Sequence, residues 1–159
     1  MADPPTTHDR DGSADPVEAA DRPDAPGQAD SPWAASVVLG SGDTAFIRPL
    51  TPADRPALAA FHRRQSPESI YRRFFSPKPE LSDKELEHFT DVDMVDRVAL
   101  MVESHDEFIA WASYERWPGR NEAEAAFMVD DEHHGKGIAT LLLEHLAAIR
   151  LARRALAEV

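Results

Sequence analysis

The run VDDEHHGKGIATLLLEHL, Val129 to Leu146, joins an apolar strand to two acids, two histidines and a glycine pair, and an amphipathic helix starts at once. The first four amides of any helix precede its first internal hydrogen bond, so they have no partner within it. The helix dipole adds partial positive charge at the same end. In His134-Gly135-Lys136-Gly137-Ile138-Ala139-Thr140, two glycines and an alanine let the backbone close around an anion, and Lys136 adds a basic side chain. Such a mouth suits a phosphate or pyrophosphate. An ordinary glycine-rich turn with Lys136 in solvent fits the spacing as well, because short glycine motifs recur without a ligand.

The elements that must position this turn are readable from pattern. Val37-Val38-Leu39 and Thr44-Ala45-Phe46-Ile47 flank GSGD and read as a hairpin whose glycines supply the turn. No GK[ST] follows and no helix opens there, so a phosphate loop is the poorer reading of GSG. Thr51-Pro52 starts a helix, with threonine as N-cap and proline at the first helical position. SPESIYRRFF is a second helical stretch, and Ser82 to Glu85 (SDKE) is a capping box opening a helix before Leu86 and Phe89. RVALMVES, EFIAWASYERW and AEAAFMVD are β-rich, and IATLLLEHLAAIRLARR carries leucine and alanine at helical spacing. The order condenses to β, β, α, α, β, β, β, α. That order predicts an α/β (α+β) fold with a mixed, mostly antiparallel sheet flanked by helices. The last helix is expected to lead to a further strand beginning in ALAEV.

Composition bounds the function. The 159 residues fit one domain, and no apolar run reaches the roughly 18 residues of a membrane span. There is no cysteine, which excludes disulfides, thiolate metal cages and a thioester on the enzyme. This fits a reducing, cytoplasmic setting, and the acidic N-terminus lacks the basic and apolar regions of a secretory signal. A net charge of −12 argues against nucleic acid as partner. Residues 1–32 hold eight acids, two arginines and six of the thirteen prolines. A stretch so poor in apolar side chains cannot offset its chain entropy, so 1–35 reads as a disordered acidic tail and 36–159 as the domain. Beyond residue 32, 21 acids face 15 bases.

The strand, acidic link and HGKGIATLLLEHL resemble motif A of the GNAT acyltransferases, Gln/Arg-x-x-Gly-x-Gly/Ala. His134 holds the first place, Gly137 the fourth and Ala139 the sixth. Histidine departs from the pattern but removes no backbone donor. AFIRPLTPAD resembles the usual opening strand and helix of the family. YRRFF, LSDKELEHFT, DRVALMV, EFIAWASYER and AEAAFMV resemble its actinobacterial protein-lysine acetyltransferase branch, over roughly Val37 to Val159.

The resemblance implies acetyl-CoA as acyl donor. Its pyrophosphate would sit on the amides of Gly135 to Thr140. Its pantetheine arm would pair with backbone of Met128 and Val129, where the strand splays from its neighbour. An amine nucleophile with a pKa near about 10.4 is protonated at neutral pH, so the site needs a base. Glu124 matches the strand glutamate of the resembling branch, with Glu122 in reserve. The apolar neighbours Ala123, Ala125, Ala126 and Phe127 would favour its accepting a proton. A solvated strand-end glutamate is the plainer reading from the residues alone. With no cysteine, direct attack in a ternary complex is the simplest mechanism, and no metal is needed. His133 and His134 lack further ligands at metal spacing.

The acceptor would be a protein lysine or a small amine. Pro79 to Asp96 holds seven acids and Lys84, and would make a cation-attracting wall or a solvated helix. Arg72 and Arg73 cut against a purely acidic wall unless they pair with nearby acids. The family continues past this helix through a strand, a helix and two more strands, so the resemblance implies a domain incomplete at the C-terminus, with an unpaired strand edge. A non-catalytic acyl-CoA-binding or interaction module is therefore the alternative to an enzyme.

Overall fold

A computed structural model describes residues 31–158. The predicted tail falls outside the described residues as far as residue 30. Trp33 already packs against the core, with the Arg153 guanidinium 5.5 Å from its ring centroid.

Five strands form one sheet in chain order: β1 (Ala35–Val38), β2 (Thr44–Pro49), β3 (Arg97–Ser104), β4 (Glu107–Arg116) and β5 (Ala123–Val129). Every neighbouring pair is antiparallel, so the sheet is more regular than the mixed one expected. Three helices stand between β2 and β3: α1 (Arg55–Arg63), α2 (Pro67–Phe74) and α3 (Asp83–Thr90). The sequence order carried two helices there. SPESIYRRFF and the capping-box helix are separate elements, split by the proline-rich link 76–81. The final helix, α4 (Ile138–Ala157), continues into the ALAEV segment, to Ala157, where a strand was expected to begin. Nothing in RLARRALA breaks helical spacing, and no glycine stops it.

The two faces of the sheet are packed by different helices. Val98, Leu100 and Val102 of β3 face Ile138, Leu142, Leu146 and Ile149 of α4. The alternate residues Ala99 and Met101 face Leu58, Phe61, Ile70 and Leu86 of α1 to α3. Burial on both sides is why β3 is an unbroken apolar run rather than an alternating one. A bulge leaves Ile109 without a partner between the pairs Val102–Ala110 and Glu103–Phe108. It turns Phe108 and Trp111 toward the same helices, and Ile109 toward α4.

The start predicted at Thr51 is a 3-10 turn, and α1 proper begins at Arg55. Asp54 causes this: its carboxylate accepts from the Thr51 backbone N–H (2.8 Å) and hydroxyl (3.1 Å) and closes a tight reciprocal cap. The Arg48 guanidinium grips Asp54 with bonds of 2.9 and 2.8 Å. Burial alone would raise the Asp54 carboxyl, but Arg48 and Thr51 hold it below its ordinary range. The capping box of α3 forms as read: Glu85 N–H donates to Ser82 Oγ (3.2 Å) and Ser82 N–H to Glu85 Oε2 (2.8 Å).

Candidate active site

β5 meets β4 along its full length, from Ala123 opposite Arg116 to Val129 opposite Ala110. It does not splay from that neighbour. Its other edge has no strand partner among the described residues. Asp130 N–H donates to Ile109 O at 2.8 Å, which marks Ala110–Val129 as a pair that exchanges no bonds with each other. The N–H and C=O of Val129 therefore point to the open edge, and the two-residue period gives Phe127 the same direction. The backbone of Met128 turns inward to β4, and its side chain is buried against the α1 to α3 layer.

After β5 the chain makes a 3-10 turn at Asp131–His133 and reaches α4 through Gly135 and Gly137. Both glycines take left-handed backbone, φ 78° and 76°. A Cβ at either would meet nothing within 4 Å, so conformation and not crowding calls for glycine. Gly137 is the N-cap of α4 and brings no side chain to cap it. The first helical bond is Leu141 N–H to Gly137 O at 3.1 Å. The amides of Ile138, Ala139 and Thr140 precede it and have no protein acceptor among the described residues. His134 Nε2 donates to Val129 O at 3.0 Å, which holds its ring across the end of the open edge.

The Lys136 carbonyl accepts from Gly40 N–H at 3.1 Å, so the β1–β2 turn props this loop from behind. The Lys136 side chain does not line the cavity, and its charge acts on Asp43 at long range. It helps to hold the Asp43 carboxyl below its ordinary range, after hydrogen bonds from Ser41 and His105.

The opposite wall is α2. Ser66 caps it by accepting from Ser69 N–H at 3.2 Å, and Asp131 reaches over from the β5–α4 loop. The Asp131 carboxylate accepts from Ser66 N–H (2.8 Å) and Ser69 Oγ (2.5 Å). The Ser69 hydroxyl, with the Ser66 amide, holds the Asp131 carboxyl below its usual value against burial, which would raise it. One turn on, Arg72 pairs with Glu68 at 2.5 Å. Arg73 lies over the rings of Phe74, Phe89 and Trp111, with 4.8, 5.5 and 5.0 Å to the centroids.

These elements enclose a cavity of about 310 Å³. Of the residues predicted from sequence, Met128, Val129, His134, Gly135, Gly137, Ile138, Ala139 and Thr140 line it. Lys136 does not. Sequence reasoning missed Ser69, Phe127 and His133 as lining residues, and noted Arg72 and Arg73 only for their charge. YRRFF held a signal, two adjacent cations in an amphipathic helix, but no spacing rule sets that helix against the glycine turn.

Glu124 stands outside the cavity on β5, on the face that carries Trp111 and Ser113 of β4. It is exposed, as are Ala123 and Ala125. The apolar surroundings expected of it are absent. Its charge is nevertheless felt by Arg73. Part of the acidic segment 79–96 is committed locally. Glu85 holds Lys78 at 2.5 Å, Asp96 holds Arg116 at 2.5 Å, and Asp93 accepts three backbone N–H groups at 2.9 Å.

A phosphate-bearing acyl donor fits these residues. The helix mouth offers unpaired amides, the β5 edge offers extended backbone groups, and two buried nitrogens of the lining, His133 Nδ1 and Arg73 Nε, have no hydrogen-bond partner. No helix among the described residues is long and apolar enough to cross a membrane.

Residues 45–157 match the family described as acetyltransferase (GNAT) domain. The fold is similar to the crystal structure of the GNAT domain of S. lividans PAT, at 45% identity and a TM-score of 0.73 over 76% of this chain and 73% of that one. That likeness is consistent with the actinobacterial protein-lysine acetyltransferase branch. A GNAT-family acetyltransferase from Streptococcus pneumoniae shares the fold at 20% identity and a TM-score of 0.56, over 69% of this chain and 68% of that one. So does yncA of Salmonella typhimurium with its cofactor acetyl-CoA, at 21% and 0.54, over 69% and 64%. The chain belongs to the GNAT family of N-acetyltransferases, enzymes that use acetyl-CoA.

Proposed function

We propose that the protein transfers the acetyl group of acetyl-CoA to an amine, a lysine side chain on a protein, with Glu124 as general base. The observation that carries this reading is the continuity of the cavity. It begins at the uncapped amides of α4 and runs along β5 as far as Phe127, three residues from Glu124. The amides of Gly135 to Thr140 hold the pyrophosphate by unpaired N–H groups and the dipole of a 20-residue helix. The edge-facing groups of Phe127 and Val129 pair with the pantetheine arm as a strand would. His134 swings off the Val129 carbonyl to release it.

Acetyl-CoA is consumed as acyl-donor substrate. The neutral amine attacks the thioester carbon, the new C–N bond forms, and the C–S bond breaks to release CoA thiolate. Glu124 takes the amine proton, directly or through water. The 45% identity to the GNAT domain of S. lividans PAT supports a protein lysine as acceptor.

The test uses the full chain with acetyl-CoA and poly-lysine as probe acceptor. Glu124→Gln is expected to lose turnover by about 10²–10⁴-fold, with acetyl-CoA binding by calorimetry unchanged. Equal turnover in the variant and the wild type would remove Glu124 from the role of base.

A further inference from the structure

Arg73 is the cation of the cavity wall with least to hold it. Its guanidinium is largely buried, and burial pulls its pKa below the ordinary arginine value. A buried charge is costly unless ion-paired and hydrogen-bonded. Among the described residues no carboxylate is in ion-pair contact with Arg73, and Glu124 acts on it only at longer range. Among the described residues the one hydrogen bond of Arg73 runs from Nη2 to Ser113 Oγ at a long 3.3 Å. Nε is buried with no partner, and among the described residues its remaining N–H groups have no protein acceptor. Three aromatic faces retain it, each contributing about 0.5–2 kcal/mol.

The neighbouring Arg72, one position away on α2, is by contrast exposed and paired with Glu68. Both arginines line the cavity, but Arg72 is spent on Glu68 at the exposed rim, whereas Arg73 brings unused donors to the inner wall. Ser113, which tethers it, stands opposite Ala126 on β5, between Met128 in the cavity and Glu124 beyond it. Arg73 thus lies between the helix mouth and the base.

We propose that Arg73 is a further catalytic residue, whose unpartnered guanidinium N–H groups donate to the acyl carbonyl oxygen of the bound donor and polarise it for attack. This rests on the acetyl-CoA reading above. The guanidinium gives up no proton. It stabilises the charge that gathers on the carbonyl oxygen as the amine adds, and that charge returns to carbon as thiolate leaves.

The test needs no acceptor. The full chain is mixed with acetyl-CoA labelled with ¹³C at the carbonyl, and the carbonyl stretch of the bound thioester is read by difference infrared spectroscopy. A shift to lower frequency is expected in the wild type, most of it lost in Arg73→Met and about half retained in Arg73→Lys. Calorimetry gives the second readout. Arg73→Met is expected to weaken acetyl-CoA by roughly tenfold and free CoA by less than about twofold. Arg73→Lys keeps a cation over the rings, so it preserves the measurement if Arg73→Met does not fold.

An unshifted carbonyl in the wild type, or a full shift in a folded Arg73 variant, overturns the proposal. Equal weakening of acetyl-CoA and CoA also overturns it, and assigns Arg73 to the phosphate or pantetheine portion. Failure of the wild type to bind acetyl-CoA removes the proposed function and this inference together. A carbonyl shift that persists in Glu124→Gln, with turnover unchanged, removes only the base and leaves Arg73 in place.

Discussion

Two glycine turns touch each other in this protein and are put to opposite uses. The turn between β1 and β2 closes on itself. Leu39 N–H donates to Asp43 O (2.8 Å), Gly42 N–H to Leu39 O (2.9 Å), and Ser41 Oγ to Asp43 Oδ2 (2.6 Å). The turn before α4 is propped at its rear, where the Lys136 carbonyl takes the Gly40 amide. Its front is left with the first amides of a helix. Both turns use glycine in left-handed backbone, at Gly42 and at Gly135 and Gly137. They differ in the element each turn leads into. A strand hands its amides to a ladder, whereas a helix cannot bond its own first turn. Glycine permits the turn; the strand or helix after it decides whether it can bind.

The contrast is broken most directly by substituting the glycine of each turn. Gly137→Val forces a branched residue into left-handed backbone, at a cost of about 1–2 kcal/mol in stability. It is expected also to weaken acetyl-CoA by more than about tenfold, since the helix mouth must re-form. Gly42→Ala carries similar backbone strain and should lower Tm without changing donor affinity. Equal loss of affinity in both variants would erase the distinction. The next effect tests whether one turn supports the other. A Cβ at Gly40 would meet Lys136 O at 3.2 Å, so Gly40→Val should push the loop and weaken acetyl-CoA by roughly fivefold, read by calorimetry.

A smaller effect concerns the clamp between loop and α2. The Asp131 carboxyl titrates below its ordinary range in the fold. Its stabilisation is therefore fully present above the unfolded carboxylate pKa and is lost as pH falls through the folded value. Urea unfolding from pH 7 down through the carboxylate range should show Asp131→Asn less stable at neutral pH, by about 0.5–1 kcal/mol after solvent screening. The difference should shrink toward acid. A gap that stays constant with pH would show that the charge is not what holds the clamp. The smallest change is expected from Lys136→Ala. Its side chain does not line the cavity, so donor affinity should fall by no more than about twofold, through long-range charge alone. A tenfold fall would place the Lys136 ammonium on the phosphates.

Much of this was legible in the chain. Ser82 with Glu85, the alternation and turn signals of β1 and β2, and the period of α4 are local patterns, and each formed as read. The glycines before α4 were legible for the same reason, since left-handed backbone and an uncapped helix are properties of a few consecutive residues. The start of α1 was displaced because Asp54, not Thr51 alone, shapes the first turn. Glu124 was legible as a residue but not as an exposed one. Its alanine neighbours suggested burial, which depends on whether a helix lies above that part of the strand. The outward direction of Phe127 and Val129 required the register against β4, which no single strand encodes.

By itself the sequence determined where elements start, which faces are apolar, and that one helix opens on bare amides. These follow from side-chain chemistry within a turn or two of the chain. Only the tertiary structure decided that α2 forms the facing wall, that Asp131 ties it to the loop, and that Arg73 arrives there with no carboxylate among the described residues in ion-pair contact. Those outcomes depend on contacts between residues some 60 positions apart, such as Asp131 with Ser66 and Ser69. Such contacts are set by the packing of three helices on one sheet, and no local pattern records them.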